Sequence, residues 1–383
     1  MKLAILLDDP TCYGGMQQFS RDLAEMLGER DRMQVELLAY SGALSGLKAC
    51  GARIVRLNEA EKRRGIVRLL RGGPRRYLSC GPLRLASLVL DIPQIRRRMR
   101  EILPGGDVLL INSFHSAHLF VPRDVLKKNQ VIFVQHSSPG QLYRWRYDFG
   151  GWLRRQKIEL FKRYVDALVT LSPHEEAGLA RYLSLDGKLV RVIRHQTRLP
   201  ETETLESGDP REVLFLGRLS AEKRVDRILQ LAAAAPQFHF HLCGDGPEEA
   251  RLKRAAAGLT NVSFHGYVKD PSAWLRRAGI VIFTSDSEGY PIAGIEATAY
   301  GKPILALHSF PAAADLVVNG KNGCLLEDFT PEGFAAALEE IARNYSAYCA
   351  GALAEREKFS QTAFHEAWRT LLRDLSGKEM LQK

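Results

Sequence analysis

The stretch VIFTSDSEGYPIAGIEATAYG, residues 281–301, runs from an apolar segment through a polar turn into a helical pattern, and carries Glu288 and Glu296. Carboxylates suit hydroxyl groups, such as a sugar or a ribose diol. The plainer reading is that Glu288 favours the positive end of a helix dipole, worth about 0.3–1 kcal/mol, and that Glu296 lies on a solvated face. Three other turns in the same half could also do chemistry. In GRLSAEKRVD, Arg218 and Lys223 sit beside the start of a helical pattern. Cations together with free helix N–H groups make an anion site, although surface cations are mostly just solvated. Gly244-Asp245-Gly246-Pro247 is a turn that lets backbone approach a ligand, and is equally an ordinary tight turn. VSFHGYV ends at His265, Gly266 and Tyr267, where a backbone edge could pair with a planar base or a tyrosine simply pack. Pro291 occupies a favoured first helical position.

These turns need strands to present them. In the first half the apolar runs are KLAILL (2–7), VELLAY (35–40), RIVRL (53–57), DVLLINS (107–113), QVIFVQHS (130–137), ALVTLS (167–172) and LVRVIR (189–194). In the second they are EVLFLGRL (212–219), FHFHLCGDG (238–246), VSFHGYV (262–268), GIVIFTSD (279–286), KPILAL (302–307) and NGCLLE (322–327). The runs are continuous rather than alternating, the pattern of strands covered on both faces by helices in a parallel sheet. Residues 195–211, HQTRLPETETLESGDPR, are polar with two prolines and read as a linker. The sequence therefore predicts an α/β chain of two Rossmann-like βαβ domains facing across a cleft: 1–200, 201–358, and a C-terminal amphipathic segment 359–383 packing back on the first domain. Ligands of such sheets bind beyond the carboxyl ends of the strands.

At 383 residues and 45% hydrophobic content, the chain has enough apolar surface for two cores. Its six cysteines are scattered without metal or disulfide spacing, and no run approaches a spanning helix, so a cytoplasmic protein is expected. The formal charge of +10 permits an anionic partner, and the excess is concentrated in the arginine-rich segment 56–100. No nucleic-acid recognition motif accompanies it.

GRLSAEKRVD, LCGDGPE, VSFHGYV, SEGYPIAGIEATAYGKPI and NGKNGCLL fall in the order and spacing of one family. Across roughly 211 to 330 the chain resembles the family-4 retaining glycosyltransferases of the GT-B fold, with their paired glutamates as Glu288-x7-Glu296. YGGMQQFSRDLAEML resembles the family's Gly-Gly loop and first helix. The resemblance implies that Arg218 and Lys223 bind the donor diphosphate. It implies that Glu296 holds the ribose, that Glu288 contacts the transferred sugar, and that backbone from Gly289 through Tyr290 and Pro291 to Ile292 reaches sugar hydroxyls and the distal phosphate. Gly14 and Gly15 would let the first-domain loop approach the phosphates, with Gly244 and Tyr267 completing the donor site. His136 would face the donor sugar; the alternative is a core histidine at a strand end. Two stretches depart from the family pattern: HSFPAAADLVV, where Asp315 stands in for a glutamate, and IRHQTRLP, which replaces a Pro-Asn ending.

The implied reaction is sugar transfer from a nucleotide-diphosphate-sugar to an acceptor hydroxyl, with retention. A UDP-hexose or UDP-N-acetylhexosamine is expected first and GDP-mannose second. The sequence holds no Asp-x-Asp pair, so no metal and no other cofactor is expected. The mixture of arginine and apolar residues in 56–100, with Trp145 and Trp152 further on, suits either a solvated face or an anionic bilayer. The bilayer reading places the protein at the inner face of the membrane with a lipid-linked glycan as acceptor. Open alternatives are a soluble acceptor, a nucleotide-sugar epimerase and a sugar phosphorylase.

Overall fold

The computed structural model describes residues 1–7, 15–39, 52–57, 82–112, 121–136, 158–180, 183, 185–197 and 208–381. Two wholly parallel sheets organise the chain. The first has seven strands in the order β3-β2-β1-β4-β5-β6-β7. They are β1 (Leu3–Leu7), β2 (Val35–Ala39), β3 (Arg53–Arg56), β4 (Val108–Ile111), β5 (Gln130–Val134), β6 (Ala167–Thr170) and β7 (Leu189–Val192). The second has six in the order β10-β9-β8-β11-β12-β13. They are β8 (Asp209–Leu216), β9 (His239–Cys243), β10 (Val262–Gly266), β11 (Ala278–Phe283), β12 (Ile304–Leu307) and β13 (Gly323–Leu326). In each sheet the strand order reverses beside the first strand, the point at which open α/β sheets bind ligands.

The strands are apolar without alternation because both faces are covered. Every residue of β1, β4 and β11 is buried. β8 begins at Asp209, inside the segment read from sequence as linker. Its first residue is drawn into the sheet by pairing with Ala278 of β11. One apolar cluster is continuous across both sheets, running from Leu3, Ile5 and Phe19 through Trp368 to Tyr290, Ile295 and Val281.

The chain returns to the first domain at its end. Thr197 donates its backbone N–H to Phe359 at 2.9 Å. The helix Gln361–Leu381 then lies along the first sheet. Trp368, Leu371 and Leu375 are buried there, with Trp368 and Phe364 against Phe19. Polar contacts fix its register: His365 to Asp31 at 2.8 Å, Arg191 to Asp374 at 2.8 Å, and Gln130 to the Leu375 carbonyl at 2.9 Å.

Candidate active site

The strand-end turns of the second sheet are laced together by a polar network. After β8, a short turn Ala221–Lys223 leads into the helix Val225–Ala234 through Arg224, which takes a left-handed conformation (φ 49°). Such a conformation is unfavourable for a residue bearing a Cβ. Here it points the Arg224 guanidinium at both Asp226 and Asp286, at 3.1 Å each. Those two hydrogen-bonded carboxylates push the Arg224 pKa further up. Arg227 adds an ion pair to Asp286 at 2.7 Å and donates to the Thr284 carbonyl at 2.8 Å. Thr284 donates through its hydroxyl to the Arg224 carbonyl at 3.1 Å, and Asp286 donates its N–H to Glu222 at 2.9 Å. The turn after β8 and the loop after β11 are thereby held side by side.

The consequence is a contact between two motifs far apart in sequence. The Lys223 ammonium forms an ion pair with the nearly buried Glu288, which also accepts from the Ser285 hydroxyl at 2.7 Å. Arg218 stands exposed at the end of β8, and its charge helps stabilise ionised Glu222. Burial pushes the Glu222 carboxyl up, but the Ser220 hydroxyl, Lys223 and Arg218 bring it net below its ordinary value.

The helix Ile292–Ala299 follows Pro291, and its first N–H groups have no side-chain cap. Those donors are available to an anion. Glu296 lies in this helix and its carboxylate makes no hydrogen bond or ion pair among the described residues. Burial, with the Asp270 charge adding to it, raises the Glu296 pKa to about 7. The side chain of Tyr290 points away from the turn. It turns into the core, with its hydroxyl donating to Asp315 at 2.9 Å and its ring edge-on to Phe359. Only the Tyr290 backbone is left to meet a donor. Asp315 in turn accepts two hydrogen bonds from Arg194, at 2.6 and 2.7 Å. Arg194 follows β7 of the first domain, so this clasp crosses the domain boundary.

Gly244 has a positive φ of 149°, and a Cβ there would sit 1.8 Å from the Gly217 carbonyl. Glycine is therefore required where the ends of β8 and β9 approach, whatever else its backbone touches. Tyr267 is 64% exposed and free to stack on a planar ring. His265 is not free: its ring lies 4.0 Å from Trp274 and its Nε2 meets His241 Nδ1 at 3.0 Å, within a chain that ends on Glu212.

From the first domain, Gly15 opens the helix Gly15–Arg30 and faces Ile292, whose Cδ1 would be 3.3 Å from a Cβ on Gly15. The starts of these two helices thus meet across the cleft. Gly14 lies outside the described residues. His136 follows β5 and donates from or accepts at Nε2 against Asn112 Oδ1, at 2.8 Å. Burial, reinforced by neighbouring His195, holds its pKa well below the ordinary value, so the ring is neutral. Of the basic segment 56–100, residues 58–81 lie outside the described residues. Of those described, Arg97 and Arg98 pair with Glu101 and Arg100 pairs with Asp124, so part of this charge is already matched. Among the described residues, no three His, Cys, Asp or Glu side chains gather to hold a metal ion, and no helix is long and apolar enough to cross a membrane.

Residues 200–365 match the family model of glycosyl transferases group 1. This match spans the second sheet and its helices. An uncharacterized glycosyltransferase of Haemophilus influenzae is 29% identical over 190 residues, 48% of this chain and 53% of that protein. The chain thus spans about half the length of that relative. The O-antigen biosynthesis glycosyltransferase WbnH of Escherichia coli is 28% identical over 282 residues, 72% of this chain and 79% of WbnH. Among solved structures, Anabaena HepE in complex with UDP is similar in fold with a TM-score of 0.76 at 17% identity, covering 98% of this chain and 100% of HepE. The two parallel-sheet domains share the GT-B fold of that structure.

Lys223 and Glu288 are legible in the sequence, but what surrounds them is not. Ser285 could have been found from its place two residues after β11. The Arg224–Asp286–Arg227 lacing and the Arg194–Asp315 clasp join residues with no local signal between them.

Proposed function

We propose that this chain is a retaining glycosyltransferase that moves a sugar from a nucleoside diphosphate, UDP in the first instance, to a hydroxyl of a glycan acceptor. The observation that carries the reading is the contact between Lys223 and Glu288, which joins a cation suited to phosphate and a carboxylate suited to sugar hydroxyls at one strand-end cleft. Glu296, an open carboxylate on the adjoining helix, suits the ribose diol. UDP is favoured because HepE, similar in fold over its whole length, binds it.

Breaking the anomeric C–O bond puts negative charge on the leaving phosphate. Arg218, Lys223 and the uncapped N–H groups at Ile292 meet that charge, and removing one such donor typically costs about 3–4 kcal/mol in the transition state. Lys223 exchanges part of its contact with Glu288 for phosphate as the donor enters, which leaves Glu288 free to accept from the sugar. No divalent ion is assigned, because the sequence offers no Asp-x-Asp pair beside these turns. Retention follows from attack on the face the leaving group departs from. The name of WbnH supports an acceptor among cell-envelope polysaccharides. The arginines of 56–100 support a peripheral site on an anionic membrane surface, at about 1 kcal/mol per basic residue.

The test is incubation with UDP-sugars and lipid-linked acceptors, with the new linkage read by NMR. Transfer with unchanged anomeric configuration is expected. Inversion would overturn the stereochemical assignment, and a new UDP-sugar formed without acceptor would make the protein an epimerase.

A further inference from the structure

A line of hydrogen bonds in the first domain joins the helix Gly15–Arg30 to the ends of β4 and β5. The Ser20 hydroxyl, on the helix Gly15–Arg30, donates to the Met16 carbonyl at 2.9 Å. That proton is spent, so the Ser20 oxygen can only accept from Asn112, whose Nδ2 lies 2.9 Å away. Asn112 Nδ2 also faces the Leu6 carbonyl at 3.5 Å, again an acceptor only. The Asn112 amide is therefore oriented, and its Oδ1 must be the atom facing His136 Nε2 at 2.8 Å. An amide oxygen cannot donate, so the proton is on Nε2. Nδ1 is left as a bare lone pair, and it is buried without a partner among the described residues.

The ring cannot escape by rotating freely. Phe19 stands edge-on to it with centroids 4.9 Å apart, and the ring of His195 lies 5.6 Å away. His195 is itself kept neutral, its pKa lowered to about 4 by burial. A buried acceptor without a donor costs about 1–3 kcal/mol, so a hydroxyl that donated to Nδ1 would stabilise the site.

We propose that Ser20 and Asn112 are positioning residues that hold His136 as its Nε2–H tautomer, so that Nδ1 accepts a hydroxyl of the transferred sugar. This rests on the proposed function and on the donor-sugar position that the family resemblance implies for His136. The selection works through proton direction. With Nδ1 fixed as an acceptor, the site takes a sugar that offers a hydroxyl there and rejects one that offers only an acceptor or hydrogen. Neither Ser20 nor Asn112 touches the donor.

The experiment uses the full chain labelled with nitrogen-15 histidine, with the His136 signals identified by their loss in His136→Gln. In the ligand-free protein Nε2 is expected to be protonated and Nδ1 not. In Asn112→Leu the two nitrogens should move towards averaged signals as the tautomers mix. In the same variant kcat/KM for the sugar donor should fall about tenfold, the worth of one well-placed hydrogen bond, while affinity for UDP, which has no sugar, stays unchanged. Ser20→Ala, a milder change that frees the Asn112 amide to flip, should act in the same direction and keeps the test available if Asn112→Leu folds poorly. A protonated Nδ1 in the wild-type chain, or an unaltered tautomer in both variants, would overturn the proposal. A parallel loss of UDP affinity in both variants would also overturn it, since that marks a general disturbance of the fold. Failure of the wild-type chain to bind UDP at all would count against the proposed function, while the tautomer measurement is unaffected by it.

Discussion

The clasp between Arg194, Asp315 and Tyr290 gives a prediction whose size follows from geometry. Asp315 is nearly buried and takes two short hydrogen bonds from Arg194 and one from Tyr290. Removing one member of a buried ion pair typically costs about 3–5 kcal/mol, because the other charge is left unpaired. Arg194 retains 23% side-chain exposure and can turn part of its guanidinium to water, so the lower end of that range applies. The buried Tyr290 hydroxyl loses its acceptor as well, at about 1 kcal/mol. Asp315→Leu is therefore expected to cost about 3–4 kcal/mol in urea unfolding. The double variant Arg194→Met/Asp315→Leu removes both charges and should cost clearly less than Asp315→Leu alone. The double-mutant cycle should give a coupling of about 2 kcal/mol, within the range found for residues in one buried network. Because Tyr290 is two residues from Glu288, the single variant should also raise the donor KM more than the double variant does. A coupling below about 0.5 kcal/mol, the scatter expected of independent sites, would refute the clasp as an energetic link between the domains.

Three further outcomes follow from individual residues. The Glu296 carboxyl, raised to about 7 in the empty site, must be ionised to accept from a diol, so UDP affinity should rise with pH through about 7. In Glu296→Gln calorimetry should find that dependence gone and binding about 10–100-fold weaker, the worth of a charged hydrogen bond. The raised pKa also makes wild-type stability fall relative to that variant as pH rises from the ordinary carboxyl value towards 7, since the unfolded chain ionises first. Gly244→Ala forces a Cβ onto the Gly217 carbonyl at a positive φ, and should lower the thermal midpoint through a loss of at least about 2 kcal/mol. Trp368→Ala empties the contact between the C-terminal helix and Phe19, and should cost about 3–5 kcal/mol in urea unfolding, with faster proteolysis after residue 359.

The strands were legible because burial on both faces leaves an unbroken apolar run, as LAILL and AGIVIF show. β8 extends three residues beyond the apolar run because Asp209 pairs with Ala278 of β11, and Pro210 and Arg211 are carried along in a register shift. The turns worth inspecting were legible from where strands end. Their partners were not. Lys223 meets Glu288 because Arg224 and Arg227 bind Asp286, and hydropathy carries no record of such pairing. The sequence gives no sign that the Tyr290 side chain belongs to the core and to Asp315. The orientation of Asn112 is likewise set by a serine from another element.

The central claim is that the cleft around Lys223, Glu288 and Glu296 binds a nucleoside diphosphate. Its most direct test is the thermal stability of the intact chain with UDP, GDP, ADP or CMP, each with and without EDTA, in wild type and Lys223→Ala. The account predicts stabilisation by one nucleoside diphosphate, about 2.7 kcal/mol at 100 times its Kd, indifferent to EDTA and reduced in the variant. No stabilisation by any of them in a folded wild-type sample would contradict it.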